Sequence, residues 1–439
     1  MTNRYLKVGL LMMASVVLVA CSQESTTSKE TQDSKTETVT ETNQDTVKDQ
    51  ESNNEVTDAT TDEDVKDLGA PEPELDSHAY GPAPGESNTN DIPPYEIDFQ
   101  LTDDVINRYN TWSKSYIKET SEGAFVNTSD TDQFYRTVSE AHGYGMYILT
   151  KMSSVDTDAK DTFDQFIKYH ENHRVGDTSL MMWRQDSSTT TKPLMDYDPN
   201  NATDGDLYIA YSLIQAHKIW GDELYKRLAT DILTDILAYN YNDTDHIITL
   251  GNWVGKGTPE YQTFRSSDVI PKFYDEFYQF TGDTTWVTIK EHLLDYLNQV
   301  SQNSKSGLVS DFINVKDGKA TVPTGQVIES KTDGEYSWNA ARVPMQLAYD
   351  LTSGESVKII NRMLQFFETQ PHVFAGYTLD GKATVEYDSI AFGGLIEPIL
   401  QKPEINDYNI NTNYKHFSKE SVTGINYYGD TLFLMGHLY

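Results

Sequence analysis

Two short segments of the chain combine a carboxylate with small residues, as a site for acid–base chemistry would. The first, 137–146, contains Glu140 and two glycines. Glycine inside a helical pattern costs about 1 kcal/mol relative to alanine, and it suits positions where the backbone approaches another group closely. A glutamate beside such a position could act as a general acid if burial raised its pKa. The alternative is an ordinary helix start, capped by Ser139 or Thr137.

The second segment, 202–216, begins Ala-Thr-Asp-Gly-Asp and is followed by Trp220. Asp204 could be a second carboxylate of the same site. Alternatively, Thr203 or Asp204 could cap the helix that follows, because a side-chain oxygen there satisfies a free backbone N–H. Composition alone favours the cap.

The elements that would position these segments are predicted to be helices. Apolar residues recur at three- to four-residue spacing in 131–152, 159–173, 206–219, 222–239, 271–281, 284–300, 338–351, 355–369, 387–401 and 429–438. Short breaks such as Gly221-Asp222, Gly282-Asp283 and Ser353-Gly354 predict antiparallel helix hairpins. Strand-like alternation is confined to 245–250 and 375–386. Ten to twelve helices in hairpins favour a toroid over two bundles.

Together, the two segments resemble glycoside hydrolase family 8, inverting enzymes that cut β-linked glucan, chitosan or xylan. Ala-Thr-Asp-Gly-Asp with Trp220 resembles the family signature, and Thr-Val-Ser-Glu followed by Gly-Tyr-Gly-Met resembles the segment of the general acid. The likeness continues in the family's order through 180–184, 250–253, 307–312, 339–344 and 427–430. It covers about 100–439 and implies an all-α (α/α)6 barrel of about twelve helices with an open substrate cleft.

By this resemblance, Glu140 is the general acid and Asp204 is the central carboxylate that holds the distorted sugar. Asn339, however, stands where many members have a basic aspartate. An amide cannot accept a proton from water, so Asn339 is expected to bind substrate rather than to act as the base. A subgroup with this asparagine, which includes bacillar chitosanases and lichenases, takes a glutamate from the preceding loop.

In that loop, Glu329 fits the subgroup best, ten residues before the asparagine. Asp333 and Glu335 are rivals, although Asp333-Gly334 is typical of a turn. An inverting mechanism needs room for a water molecule, so the acid and base carboxyl groups should lie roughly 6.5–9.5 Å apart in the competent state.

Sugar rings stack on aromatic side chains, and four aromatic residues lie in segments that line the family's cleft: Trp183, Trp253, Trp338 and Tyr428. Each could instead belong to the hydrophobic core. Arg342 could orient a central carboxylate through paired N–H donors, or it could form a surface ion pair.

Three histidines need an explanation. His142, beside the acid, could tune its proton affinity, contact a sugar hydroxyl or simply pack. The motif from His170 to His173 superficially suggests a metal site, but we interpret it as a solvated helix face. We expect no metal and no cofactor, because inversion with two carboxylates needs neither.

The N-terminus carries features of export. A basic start precedes a short apolar run that ends Leu18-Val19-Ala20-Cys21, which is too short to span a bilayer of ~30 Å and resembles a bacterial lipobox. Residues 22–94 contain 19 acidic and four basic side chains, a composition typical of disorder. We therefore predict a lipoprotein signal peptide at 1–21, lipidation of Cys21, a disordered acidic tether at 22–95 and a catalytic domain at 96–439.

Charge and cysteine content limit the possible partners. The 439 residues have a formal net charge of −34 and a single cysteine. The acidity argues against nucleic acid, and one cysteine excludes a disulfide framework or a Cys-based metal site. We expect a monomeric, lipid-anchored endo-β-glycosidase acting on β-1,4-linked polysaccharide (chitosan, β-1,3-1,4-glucan or a cellulose-like glucan) at the outer face of a bacterial membrane. The alternatives are a non-catalytic glycan-binding lipoprotein on the same fold, and a hydrolase of the cell's own exopolysaccharide or of xylan.

Overall fold

The structure is a computed structural model that describes residues 95, 99–400, 402, 405 and 420–438. The signal segment, Cys21 and the acidic segment 22–94 lie outside the described residues. The described residues form eleven α-helices and ten short strands. The helices are α1 Asp103–Tyr116, α2 Ser139–Met152, α3 Ala159–Asn172, α4 Thr203–Trp220, α5 Glu223–Tyr239, α6 Pro271–Thr281, α7 Thr285–Asn303, α8 Val343–Ala348, α9 Gly354–Glu368, α10 Ile390–Ile399 and α11 Tyr427–Met435.

The strands pair antiparallel in two hairpins and two three-stranded sheets. They are β1 Ile117–Thr120, β2 Gly123–Val126, β3 Arg136–Val138, β4 Arg184–Asp186, β5 Met195–Asp196, β6 Tyr241–Asn242, β7 Ile247–Ile248, β8 Thr263–Arg265, β9 Phe312–Lys316 and β10 Lys319–Thr321. The sheets have the orders β3-β4-β5 and β10-β9-β8.

Six helices form the inner ring of an (α/α)6 barrel. Helices α2, α4, α6, α8, α10 and α11 contact one another in that order. Tyr147 of α2 closes the ring by donating a hydrogen bond of 3.3 Å to the carbonyl of Leu438, just after α11. Helices α3, α5, α7 and α9 each pack against the preceding inner helix, and α1 packs against α11. The predicted all-α barrel is confirmed.

Burial distinguishes the inner helices from the outer ones. Every residue of α2 is buried except Glu140, because neighbours surround an inner helix and it must be apolar or well packed all round. Outer α9 buries Ile359, Ile360, Met363 and Leu364 along one face. A partly exposed glutamate on an otherwise buried helix marks the end of the barrel where the site lies.

The predicted hairpin breaks are confirmed. Helix α4 ends at Gly221, whose φ of 69° is left-handed, and the Asp222 carboxylate accepts the Leu224 N–H at 2.9 Å to begin α5. The Ser353 hydroxyl accepts the Ser356 N–H at 3.5 Å at the start of α9.

Several predicted boundaries were wrong. The predicted helix 131–152 begins only at Ser139, after β3. The segment 338–351 is a 3₁₀ turn at 340–342 followed by the short α8, and 375–386 forms isolated bridges rather than a strand. Strands of two or three residues are too short to show a period, so most were missed. Within the described ranges, no helix has both the length and the hydropathy needed to cross a membrane.

Candidate active site

Glu140 and Asp204 each occupy the second position of an inner helix, α2 and α4 respectively. Glycines let these two helices approach closely. A Cβ on Gly143 would lie 2.7 Å from the Tyr208 Cβ and 2.8 Å from the Gly205 carbonyl oxygen. The predicted close backbone approach is confirmed, and it sets the two carboxylate-bearing helix starts side by side.

Neither helix start uses the side-chain cap that was the alternative interpretation. The hydroxyls of Thr137 and Ser139 bond to no described group, and the Thr203 hydroxyl donates to the Thr249 carbonyl at 2.7 Å. One Asp204 oxygen, Oδ1, accepts the N–H of the next residue at 2.9 Å, which leaves Oδ2 facing the two arginines described below.

Arg342 links the acid candidate to the rest of the site. Its Nη1 donates to Glu140 Oε2 at 2.6 Å and to the Tyr144 hydroxyl at 2.7 Å, and it lies 3.9 Å from Asp204 Oδ2. Its Nη2 donates to Asn339 Oδ1 at 2.5 Å. The residue is only 1% exposed, so the surface ion-pair interpretation was wrong.

Glu329 completes the network. Its Oε2 accepts a hydrogen bond of 2.9 Å from Asn339 Nδ2, and its Oε1 accepts one of 3.1 Å from Arg265 Nη2. Arg265 Nη1 lies 3.3 Å from Asp204 Oδ2. The three carboxylates predicted to be catalytic thus belong to one network, joined by two buried arginines and one asparagine.

Two of the three carboxylate side chains are partly exposed, and the third is buried. They are 18% for Glu140, 25% for Glu329 and 8% for Asp204. Two carboxylates that reach solvent, with a buried third between their arginine partners, can supply a proton donor, a proton acceptor and a fixed negative charge.

The environment of Glu140 suits a proton donor. Burial raises the pKa of Glu140 to about 7, against the opposing effect of Arg342 and with a further increase from Asp204. A substantial fraction of this carboxyl is therefore protonated at neutral pH.

Three buried charged residues were missed by sequence reasoning: Arg265, Asp268 and Asp311. Asp268 lies 3.8 Å from Arg265 Nη1, and burial raises its pKa to about 7. Asp311 Oδ1 accepts the N–H groups of Ser337 at 3.0 Å and Ala340 at 2.7 Å, which holds the segment that carries Asn339. For Arg265 and Asp268 the signal was the opposite-charge pair three residues apart in Arg265-Ser-Ser-Asp268, and for Asp311 it was its place in the family-like segment 307–312.

The side chains of the two rival bases do not contact the catalytic side chains. The Asp333 carboxylate is 1% exposed and accepts the backbone N–H groups of 327–330. The Glu335 side chain forms no hydrogen bond or ion pair with a described residue. Of the three candidates, Glu329 is the one whose side chain contacts the network.

Two of the predicted aromatic residues lie together and beside the carboxylates. The Trp338 and Tyr428 ring centroids are 5.9 Å apart, and the Tyr428 hydroxyl donates to the Trp338 carbonyl at 3.2 Å. Burial raises the pKa of Tyr428, and the charges of Glu140 and Glu329 both add to this rise while Arg342 opposes it. Tyr428 is therefore within electrostatic range of both ends of the network.

Of the other two tryptophans, Trp183 lies next to the acid Glu140 and Trp253 lies in a separate loop. The Trp183 carbonyl accepts the Ser139 N–H at 2.9 Å, next to the acid, and its Nε1 donates to Asp198 at 2.7 Å. Trp253 is 44% exposed, and no described contact joins it to the network. Its exposure leaves a stacking surface free, whereas Trp183 and Trp338 are half-buried.

The histidines have structural positions. His142 is fully buried, and its Nε2 lies 3.1 Å from the Phe166 carbonyl, so its role is packing. The solvated-face interpretation was wrong because His170 and His173 are 3% and 4% exposed; His173 Nδ1 contacts Asp196 at 2.8 Å. Among the residues that the structure describes, no group of three or more His, Cys, Asp or Glu could hold a metal ion.

Known proteins identify the family. The sequence pattern described as glycosyl hydrolases family 8 matches residues 100–439. This chain belongs to family 8. It is therefore a glycoside hydrolase, and the inverting chemistry of family 8 agrees with paired carboxylates that both reach solvent.

Individual proteins are similar to this chain over most of their own length. A β-glucanase of Niallia circulans is 29% identical over 339 residues, covering 74% of this chain and 81% of that protein. An endoglucanase of Bacillus sp. strain KSM-330 is 31% identical over 352 residues, covering 75% of this chain and 74% of that protein. Among solved structures, the apo β-1,3-1,4-glucanase of Paenibacillus sp. X4 has a TM-score of 0.68 at 25% identity, covering 79% of this chain and 95% of the other.

Proposed function

We propose that this protein is an inverting endo-β-glycosidase that hydrolyses mixed-linkage β-1,3-1,4-glucan. The observation that carries the proposal is the network in which Arg342 and Asn339 connect Glu140 to Glu329. Its substrate is inferred from the β-glucanase and the β-1,3-1,4-glucanase to which the chain is similar.

In the proposed reaction, Glu140 donates its proton to the glycosidic oxygen as the bond to the anomeric carbon breaks. Glu329 removes a proton from a water molecule, which attacks the opposite face of the sugar and inverts the anomeric centre. Asp204 stabilises the positive charge that develops on the ring. Trp338 and Tyr428 would contact the sugars beside the scissile bond.

The role of Asn339 distinguishes this proposal from a non-catalytic glycan-binding protein. That alternative was motivated by the loss of the usual aspartate base. Here the Asn339 amide donates to Glu329 at 2.9 Å and accepts from Arg342 at 2.5 Å. An amide that orients a neighbouring carboxylate supports a relocated base, as in the subgroup with a loop glutamate.

A matched pair of variants tests the base. Glu329→Gln should lower kcat by at least ~10²-fold, because general base catalysis contributes about that much. Glu335→Gln makes the same chemical change in the same loop and should leave kcat within about threefold. The reverse pattern would assign the base to Glu335, and full activity in both variants would refute a loop glutamate as the base.

Substrate choice is tested by product analysis on lichenan, chitosan, carboxymethylcellulose and xylan. We expect the highest kcat/KM on lichenan, with oligosaccharides of several lengths appearing early, as endo action requires. Chitosan as the preferred polymer would redirect the proposal to the chitosanase members of the subgroup. Release of single sugars from one chain end would contradict endo action.

We also propose that the enzyme is lipidated at Cys21 and acts as a monomer at the outer face of a bacterial membrane, tethered by residues 22–95. The support is the sequence Leu18-Val19-Ala20-Cys21 and the acidic composition that follows. Cys21→Ser should abolish labelling by a fatty-acid analogue and move lichenase activity out of the membrane fraction. An unchanged distribution would refute the anchor.

A further inference from the structure

The side chain of Asp333 binds four successive backbone N–H groups. Its Oδ2 accepts those of Val327 at 2.9 Å, Ile328 at 2.7 Å and Glu329 at 3.1 Å, and its Oδ1 accepts that of Ser330 at 2.7 Å. The side chain is buried, so water does not compete for these bonds. One of the four N–H groups belongs to the proposed base itself.

Asp333 is in turn fixed to the body of the protein. Its backbone carbonyl accepts the Phe312 N–H at 3.0 Å, at the start of β9. In the β8–β9 ladder Phe312 pairs with Arg265, the arginine that contacts Glu329. The loop that carries Glu329 is therefore hydrogen-bonded to β9, and Arg265, which contacts the Glu329 carboxylate, lies on the paired strand β8.

From this geometry we propose that Asp333 is a positioning residue for the reaction: it fixes the backbone of 327–330 so that the Glu329 carboxylate reaches Asn339 and Arg265. The inference rests on the proposed role of Glu329 as the base. Hydrogen bonds to an ionised acceptor are stronger than neutral ones. A displacement of about 1 Å of a reacting group can lower a rate ~10²-fold, so a loosened loop should slow turnover.

Asparagine is the informative substitution because it is nearly the same size as aspartate. Its amide keeps one oxygen acceptor but places an NH₂ group against backbone N–H donors, so at least one side of the hydrogen-bonded set is lost. We expect Asp333→Asn to lower kcat by ~10–100-fold and to change KM by less than about threefold. KM should change little because the proposed sugar contacts of Trp338 and Tyr428 are made by side chains outside 327–330.

Asp222→Asn is the matched control. The Asp222 carboxylate also accepts a backbone N–H, that of Leu224, but it follows the C-terminal end of α4. Asp204 lies at the start of this 18-residue helix, about 25 Å away at 1.5 Å per residue. The control variant should show kcat and KM within about twofold of the unaltered enzyme.

The test compares kcat and KM on lichenan for the unaltered chain, D333N, E329Q, D222N and the double variant E329Q/D333N. If Asp333 acts through Glu329, the single variant D333N has a lower kcat than the unaltered enzyme. In the E329Q background, the same substitution lowers the residual rate by less than about threefold. Unchanged kcat in D333N, or an equal loss in both backgrounds, would overturn the proposal.

The same variants separate a failure of this inference from a failure of the base assignment. Full activity of E329Q would overturn the base assignment together with this inference. An inactive E329Q with an active D333N would overturn the inference alone.

Hydrogen exchange in the unaltered enzyme provides a test that does not depend on any variant folding. The amides of 327–330 should exchange at least ~10-fold more slowly than those of Gly325 and Gln326 in the same loop, whose N–H groups bond to no described residue. Equal exchange rates for the two sets would show that Asp333 does not hold the loop.

Discussion

At the scale of single residues, chemistry depends on partners that are distant in sequence. The residue types and the family resemblance were sufficient to predict Glu140, Asp204 and Glu329, and the structure joins all three. The place of Arg265 in the site could not be predicted, because a short strand with no period brings it there and the two site carboxylates that it contacts, Asp204 and Glu329, are 61 and 64 positions away. Burial, which raises the pKa of Glu140, likewise depends on the assembled barrel.

The pKa of Glu140 predicts how activity depends on pH. Because the acid must be protonated and its pKa is raised to about 7, kcat/KM on lichenan should fall about tenfold per pH unit above pH 7. Glu140→Gln should lower turnover by ~10²–10⁴-fold, and its residual activity should lack this alkaline limb. A limb that persists in E140Q would show that another group titrates there.

At the scale of elements, long helices were predicted well and short strands were not. Helices α4, α5, α7 and α9 have many turns, so their apolar period is visible, and their breaks carry Gly, Asp or Ser with definite capping roles. Helix α8 has only six residues, and its predicted length was wrong because the preceding 3₁₀ turn continues the apolar run. The glycines predicted a close backbone approach, but the sequence did not predict that α2 and α4 are the two helices that meet there.

The crossing of α2 and α4 can be tested with a pair of glycine substitutions. Gly143→Ala places a methyl group within 2.8 Å of the Gly205 carbonyl oxygen, so the helices must separate. We expect a loss of about 1–3 kcal/mol in the free energy of unfolding and a lower kcat, because Glu140 and Asp204 move apart.

Gly354→Ala, in the first turn of α9, is the control, since its Cβ would meet nothing within 4 Å. It should leave kcat unchanged and stability equal or slightly higher. Chemical denaturation measures the stability of both variants, and lichenan hydrolysis measures their kcat. A fully stable and active G143A variant would show that the close crossing is not required.

At the scale of the whole molecule, acidity and buried carboxyl groups act in the same direction on stability. Burial raises the pKa of Asp206 to about 7 and that of Asp311 to about 8. The folded protein then holds protons that the unfolded chain has released, so folding stability is lost as pH rises through these values. Self-repulsion from a net charge of −34 adds to the effect.

We therefore expect Tm to be lower at pH 8 than at pH 6.5, by roughly 2–4 °C for each kcal/mol lost. Added salt should recover the part caused by surface repulsion but little of the part caused by buried carboxyls. Differential scanning calorimetry at both pH values, with and without about 0.5 M salt, separates the contribution of surface repulsion from that of the buried carboxyl groups. A Tm that rises with pH would contradict the assigned protonation of the buried aspartates.

In the proposed mechanism, Glu140 and Glu329 act as acid and base across one bound sugar. The most direct measurement is hydrolysis of lichenan by Glu329→Ala with and without sodium azide, with the product followed by NMR. Azide is a nucleophile that needs no deprotonation, so it should restore part of the lost rate and yield a glycosyl azide of inverted, α configuration. Full activity without azide would contradict the role of Glu329 as the base, and a product that retains the β configuration would contradict inversion.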